Sequence, residues 1–88
     1  MKVEIKQSFE KDLKNIKDKK LLERILKVIE KIENAKTLNE IPNFKKLTDY
    51  KQHYRIRIGD YRIGIEIKDS IIYLVRFLNK NTFYKYFP

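Results

Sequence analysis

The chain has 88 residues, a length that allows one small domain near the lower limit for an independent hydrophobic core. Lysine and arginine number 21 against 12 acidic residues, so the net charge is +9 and the sequence favours a phosphate-rich partner, an acidic protein or an anionic membrane surface. With no cysteine, one histidine and no apolar run long enough to span a bilayer, the sequence excludes a disulfide framework, thiolate chemistry and a histidine metal cluster, and it is typical of a cytoplasmic protein.

The first part of the chain is predicted to form a strand followed by two helices. Apolar and charged residues alternate over 2–6, which predicts a short strand and not the apolar core of a signal peptide. Ser8 is expected to cap a first helix whose apolar residues recur at helical spacing over 9–16. A second helix is predicted to begin near Asp18, because apolar residues form one continuous row over 21–35 and charged residues fill the opposite face.

The second part is predicted to contain a connector and three strands. Residues 37–47 are interpreted as the connector, in which Lys45 and Lys46 add positive charge. The last strand, over 71–78, is apolar on both faces, so the aromatic tail at 83–88 is expected to cover its second face.

The order of these elements is β-α-α-β-β-β, which predicts one α+β domain over residues 1–88. Its N-terminal strand leads into a two-helix hairpin that is expected to pack on one face of a small antiparallel sheet.

The most informative stretch is a predicted β-hairpin over 54–67, where apolar residues occupy every second position on both sides of a Gly-Asp pair. A two-residue turn at that pair places Arg57 opposite Arg62 and Gly64 opposite Arg55. Like charges facing each other destabilise a sheet, and a glycine is expected to leave open space beside them. The pattern predicts three guanidinium groups around a vacancy that receives an anion.

Other interpretations of these residues remain open from composition and spacing alone. The three arginines are either solvated positions or phosphate ligands, for which the planar guanidinium is well suited. His53 is either a general base or a surface residue paired with Glu66. Lys80, in a polar break before the tail, can reach over the arginine face. Three aromatic residues of the tail can stack on unpaired bases, namely Tyr84, Tyr86 and Phe87. Two of these three are expected to pack in the core instead.

The hairpin sequence YRIRIGDYR at 54–62 is followed by an apolar strand and by an ending with Lys80 and Phe83-Tyr84. In these features the chain resembles the RelE-type toxins of the RelE/ParE superfamily over essentially its whole length. The hairpin is fairly specific for the superfamily, but not for one activity within it.

The resemblance implies the toxin of a type II toxin–antitoxin system, which inhibits growth and is neutralised by an acidic antitoxin protein. It implies an endoribonuclease, or mRNA interferase, that cleaves messenger RNA on the ribosome and contacts 16S ribosomal RNA. In the implied reaction the ribose 2′-hydroxyl attacks the adjacent phosphate without a metal or other cofactor, leaving a cyclic phosphate and a free 5′-hydroxyl.

Carried over by position, the resemblance implies catalytic roles for five residues of this chain. Arg55 and Arg57 match residues that bind phosphate and help to deprotonate the hydroxyl, and Arg62 matches the arginine that stabilises the transition state. Lys80 matches a proton donor to the leaving group, and Tyr84 matches a tyrosine that stacks on or orients the substrate. Residues expected to contact RNA in addition are Lys45, Lys46, His53 and Arg76.

The sequence departs from the family pattern at two of these positions. Arg57 stands where relatives can use lysine as a base, and a guanidinium stays protonated in proteins. Asn79 stands where many relatives have a histidine.

Two other functions compete with the nuclease. The ParE branch of the superfamily has the same fold and inhibits DNA gyrase without cutting RNA. A generic or catalytically weakened nucleic-acid-binding relative would bind mainly by counterion release.

Overall fold

The chain folds, in a computed structural model that describes residues 1–88, into one five-stranded sheet with two helices between its first and second strands and a third helix after its last. None of these helices combines the length and apolar character needed to cross a bilayer. The strands are β1 (Lys2–Ile5), β2 (Phe44–Lys46), β3 (His53–Ile58), β4 (Tyr61–Lys68) and β5 (Ile71–Asn79). The helices are α1 (Gln7–Lys14), α2 (Lys19–Asn34) and α3 (Lys80–Tyr86), with a 3₁₀ turn at Leu38–Glu40.

The strand order is β1-β5-β4-β3-β2, which confirms the α+β arrangement and adds two features to it. The sheet is mixed, because β1 lies parallel to β5 while the other neighbours are antiparallel. The helical segment between β1 and the meander is long enough to return the chain in that direction. The predicted connector also contributes β2, a strand of three residues that is too short to show an alternation signal.

The helices α1 and α2 cover one face of the sheet, as predicted. Phe9, Ile25 and Ile32 from the helices pack against strand residues including Ile63 and Leu74, and all five are almost completely buried. Burying such side chains stabilises the fold by about 1.5–3 kcal/mol each. The opposite face of the sheet is left for the tail and for the polar residues of β3 and β4.

One predicted helix cap is present and one is wrong. The Asp18 carboxylate accepts hydrogen bonds from the backbone N–H groups of Lys20 and Leu21 at 3.0 and 3.2 Å, so it caps α2. Ser8 does not cap α1, because that helix begins one residue earlier, at Gln7. The Ser8 hydroxyl instead donates to the carbonyl oxygen of Val75 in β5.

Helix α1 also completes the edge of β5 beyond the point where the short β1 ends. The Asp12 carboxylate accepts the backbone N–H of Phe77 at 2.8 Å, in place of a neighbouring strand. The same carboxylate accepts two hydrogen bonds from the Arg76 guanidinium, at 2.8 and 3.2 Å. Arg76 is therefore held by the fold in a charge-assisted pair.

The tail covers the second face of the sheet by folding into α3. Phe83 and Phe87 are buried with Leu47 in a second, smaller core. Tyr84 and Tyr86 are 64% and 60% exposed, so the expectation that two of the three aromatic tail residues lie in the core is wrong. Only one side of this short helix faces the sheet, and Phe83 and Phe87 occupy that side.

The open space predicted at Gly64 is filled. A Cβ at this position would lie 2.7–2.9 Å from three ring carbons of Phe87, closer than real Cβ atoms approach. The ladder between β4 and β5 is also irregular at this glycine. The absence of a side chain at Gly64 thus makes room for the protein's own tail.

This contact predicts a sign reversal in a double-mutant cycle. Gly64→Ala in the wild-type chain is expected to lower the free energy of unfolding by roughly 1–3 kcal/mol, because the new methyl group overlaps the Phe87 ring. In a Phe87→Ala background the same change is expected to raise it by about 0.5–1 kcal/mol, because alanine is better than glycine within a strand. Urea unfolding of the four variants measures both effects, and simple additivity would show that Phe87 does not rest on Gly64.

The Asp12–Arg76 pair predicts that Arg76 differs from the hairpin arginines in its effect on stability. Arg76→Ala is expected to lower the free energy of unfolding by roughly 1–3 kcal/mol, since it leaves a largely buried carboxylate without its cation. Arg57→Ala, at an exposed position, is expected to change it by no more than about 0.5 kcal/mol. Equal effects of the two substitutions in urea unfolding would contradict a structural role for Arg76.

Candidate functional site

The hairpin of β3 and β4 has the register that the sequence predicts. Arg57 pairs across the strands with Arg62, and Arg55 pairs with Gly64. Gly59 adopts a φ of +55° in the turn, a conformation that glycine tolerates better than other residues. Arg55, Arg57 and Arg62 therefore share the sheet face opposite α1 and α2, and we refer to them as the arginine row.

None of the arginine row forms an ion pair with a carboxylate. Arg55 donates from Nη1 to the carbonyl oxygen of Asn43 at 2.9 Å, and this bond steadies its guanidinium. Arg62 donates to the carbonyl oxygens of Gly59 and Tyr61 at 3.0 and 2.9 Å, and so folds back over the turn. Arg57 is exposed.

The arginine row creates a local positive potential that the protein does not neutralise. Burial lowers the pKa of Arg62, and the charges of Arg55 and Arg57 lower it further. Tyr84 and Asp60 oppose this shift of the pKa but do not reverse it. Arg62 remains protonated near neutral pH, but its charged form is disfavoured, which is the condition an added anion would relieve.

Helix α3 brings Lys80 to the same end of the hairpin. The Lys80 ammonium lies 3.6 Å from a carboxylate oxygen of Asp60, and its backbone N–H donates to the Asp60 carbonyl at 2.8 Å. The Asn79 side chain accepts the backbone N–H of Asn81 at 2.9 Å and caps α3. Asn79 thus has a structural role at the position where relatives have a histidine.

Two cavities flank the tail where it crosses the sheet. The first, of about 400 Å³, is lined by Lys45, Lys46, Tyr50, Arg55 and Tyr84, and we call it the tyrosine cavity. It contains two residues predicted to contact RNA, the two lysines, and two predicted to be catalytic. Tyr50 was not predicted to belong to a site, because one tyrosine in a polar loop has no periodicity and no motif around it.

The second cavity, of about 480 Å³, contains the other residues that were predicted to contact RNA. His53 and Arg76 line it together with Glu66 and Tyr86, whereas Phe87 and Pro88 line both cavities and separate them. The structure therefore does not bring His53 and Arg76 into the cavity that Arg55 of the arginine row lines.

His53 and Arg76 are also both engaged with carboxylates. His53 Nε2 lies 3.4 Å from Glu66, the surface pairing that the sequence left open as an alternative to a general base. The hydrogen bonds that Arg76 donates to Asp12 raise the pKa of Arg76, so this guanidinium stays charged and held in place. No group of three or more His, Cys, Asp and Glu side chains is arranged to hold a metal ion.

Comparison with known proteins identifies the family. Residues 3–82 match the model of the ParE toxin of the type II toxin–antitoxin system parDE. The chain is 40% identical to the toxin RelE3 of Methanocaldococcus jannaschii over the full length of both proteins.

Solved structures agree with this assignment. The RelB-RelE antitoxin–toxin complex from Methanococcus jannaschii matches with a TM-score of 0.81 and 38% identity, over 96% of this chain and 98% of that one. The Escherichia coli DinJ-YafQ complex matches in fold, with a TM-score of 0.64 at 18% identity, over 93% and 96% of the two chains. The chain therefore belongs to the RelE/ParE superfamily of toxins of type II toxin–antitoxin systems.

Proposed function

We propose that this protein is a ribosome-dependent endoribonuclease that cleaves messenger RNA without a metal ion. The observation that supports this most directly is the arginine row, three guanidinium groups on one sheet face with no carboxylate partner. Lys80 and Tyr84 of α3 border the same face. Inhibition of an enzyme through a protein interface would not require this unneutralised set of phosphate ligands.

In the proposed reaction, the 2′-hydroxyl attacks the adjacent phosphorus and the bond to the 5′-oxygen breaks. Arg55 and Arg57 bind the phosphate oxygens, and Arg62 stabilises the additional negative charge of the transition state. Lys80 gives a proton to the departing 5′-oxygen. Lys80 then takes up a proton from solvent, because its ammonium group is half-exposed.

The proton of the attacking 2′-hydroxyl has no side-chain acceptor in the arginine row. Arg57 cannot take it, because a guanidinium stays protonated. His53 lines the second cavity and is paired with Glu66, so it is not placed to act there. The proton is therefore proposed to pass to water, and the rate enhancement to come from positioning and electrostatic stabilisation.

The proposed partner that controls this activity is an acidic antitoxin. With a net charge of +9 the chain favours an acidic protein, and the similar Methanococcus jannaschii structure is described as an antitoxin–toxin complex.

A ParE-type action on DNA gyrase is the second candidate, because the matching family model is that of the ParE toxin. It predicts growth arrest with an intact message. A catalytically weakened relative predicts neither arrest nor cleavage.

The nuclease proposal predicts codon-phased cuts that depend on Arg62. Adding the purified protein to a translation reaction is expected to produce new 5′ ends at codon positions in the decoding site, and none without ribosomes. Arg62→Ala is expected to abolish the cuts while changing the free energy of unfolding by no more than about 0.5 kcal/mol, because the charged form of this side chain is already disfavoured. Mapping of 5′ ends and urea unfolding provide the two measurements.

Lys27→Ala is the matched control for the loss of one positive charge, since Lys27 is exposed on α2 and distant in sequence from the hairpin. This variant should cut like wild type. Equal losses in Lys27→Ala and Arg62→Ala would favour generic charge-dependent binding, and unfolding of Arg62→Ala would make that arginine a structural residue.

Because the arginine row has no general base for the 2′-hydroxyl, a substitution that introduces one is expected to raise the activity. Arg57→Lys is expected to raise the single-turnover cleavage rate by up to roughly 10²-fold, the lower end of the contribution of general-base catalysis. Because Arg55 and Arg62 would lower the pKa of the new amine, the rate of the variant is expected to rise with pH more steeply than that of wild type. An unchanged rate and profile would show that position 57 does not face the attacking hydroxyl.

A further inference from the structure

The tyrosine cavity has a feature that the proposed reaction does not use. Tyr50 is 47% exposed, in the loop between β2 and β3, and it lines the same cavity as Tyr84, which is 64% exposed. Large aromatic side chains at the surface of a small basic protein commonly mark a binding surface. Tyr84 borders the arginine row in the proposed function, whereas Tyr50 has no role in it.

The two tyrosines are connected by a continuous row of aromatic contacts. The Tyr50 ring packs edge-on against His53 at 5.7 Å, and His53 packs edge-on against Phe87 at 5.6 Å. Phe87 lies 5.3 Å from Phe83, which packs edge-on against Tyr84 at 4.9 Å. Phe83 and Phe87 are buried, so this row ties both exposed rings to the second core and limits the entropy lost when a ligand binds.

The remaining lining of the cavity is basic. Lys45, Lys46 and Arg55 contribute three cations, and no acidic residue lines the cavity. Lys45 pairs with Arg55 across β2 and β3, which continues the charge of the arginine row to the edge of the sheet. Exposed aromatic rings next to a basic track are the usual combination for binding single-stranded nucleic acid.

We propose that Tyr50 is a base-stacking residue, which holds one unpaired base of RNA in the tyrosine cavity, beside Tyr84 and the nucleotides on the arginine row. The phosphate of that nucleotide lies against Lys45, whose cross-strand partner Arg55 binds the phosphate that is cut. The cavity volume of about 400 Å³ is in the lower range of small-ligand sites, roughly 300–1,000 Å³, and suits one nucleotide better than a protein helix. The inference rests on the proposed RNA substrate, but not on the cleavage step.

The binding test uses a single-stranded hexaribonucleotide that carries 2′-O-methyl groups throughout, so that no hydroxyl can attack. Fluorescence anisotropy of this labelled probe is expected to give a Kd that rises roughly 5- to 150-fold in Tyr50→Ala, the range for loss of one base–aromatic stack. Tyr50→Phe, which keeps the ring, should bind close to wild type. Tyr86→Ala is the matched control, because Tyr86 is similarly exposed but lines the other cavity.

An abasic series separates stacking from a structural effect of Tyr50. Replacing each base in turn by an abasic site is expected to weaken binding to the wild type most at one position. At that position the abasic site should not raise the Kd of Tyr50→Ala any further, since the ring that contacted the base is absent. A purely structural role would leave the cost of the abasic site unchanged.

The outcomes distinguish this subsite from the nuclease itself. Stacking at Tyr50 without message cleavage would support the subsite and count against the enzyme, and Arg62→Ala should retain the Tyr50-dependent difference in Kd. Equal Kd values for Tyr50→Ala and Tyr86→Ala, or no binding of the probe by wild type, would overturn the subsite. If Tyr50→Ala binds the probe like wild type but no longer binds an acidic antitoxin, the surface belongs to the protein partner. That result would also overturn the subsite.

Discussion

The packing of Phe87 on Gly64 determines where the tail lies, and therefore what the sheet face can bind. Gly64 is the one position in the middle of β4 where the sheet surface has no side chain, and the ring fills that space almost in contact with the backbone. Phe83 is buried beside it, so α3 is fixed at two points one helical turn apart. Lys80 and Tyr84 project from the rest of this short helix, and their location relative to the arginine row depends on that packing.

The arginine row opposes the stability of the hairpin that carries it. Arg57 and Arg62 are cross-strand partners with like charges, an arrangement that destabilises a sheet. The fold tolerates it because the other face of the same strands is packed against α1 and α2, where Ile56 and Ile63 are almost fully buried. Unfavourable charge placement on a well-packed scaffold is typical of a surface shaped by binding an anion rather than by stability.

Features that depend on neighbouring residues were predicted from the sequence, whereas contacts between distant residues were not. The hairpin register and the start of α2 follow from alternation and from an aspartate cap, which are properties of neighbouring residues, and both were predicted. The filling of Gly64 by Phe87 joins residues 23 positions apart, and the pairing of Arg76 with Asp12 joins residues 64 apart. No periodicity signals such contacts, so the glycine was interpreted as a vacancy and the Asp12–Arg76 pair was not predicted; a role of Arg76 as an RNA ligand stays a prediction.

The residues of the candidate site also divide into those grouped by one element and those grouped by long-range contacts. The arginine row was predicted as a group because its members lie on one hairpin, within eight residues of each other. Tyr50 has no repeat or motif around it, and it is connected to Tyr84 by aromatic contacts through His53, Phe87 and Phe83. Residues on one element can be grouped from sequence, whereas residues grouped by the return of the tail require the structure.

The two departures from the family pattern have a common consequence for the proposed mechanism. Arg57 provides charge but no base, and Asn79 is used to cap α3 and so to fix the start of the helix that carries Lys80. In the proposed mechanism each position would thus contribute to binding or positioning and not to proton transfer from the 2′-hydroxyl. A site of this kind depends on how accurately the substrate is held, because alignment of the reacting atoms can supply a large part of the barrier reduction. The ribosome holds the message in a defined conformation and would supply that alignment. The proposed requirement for the ribosome therefore follows from the residues that the chain lacks as well as from those it has.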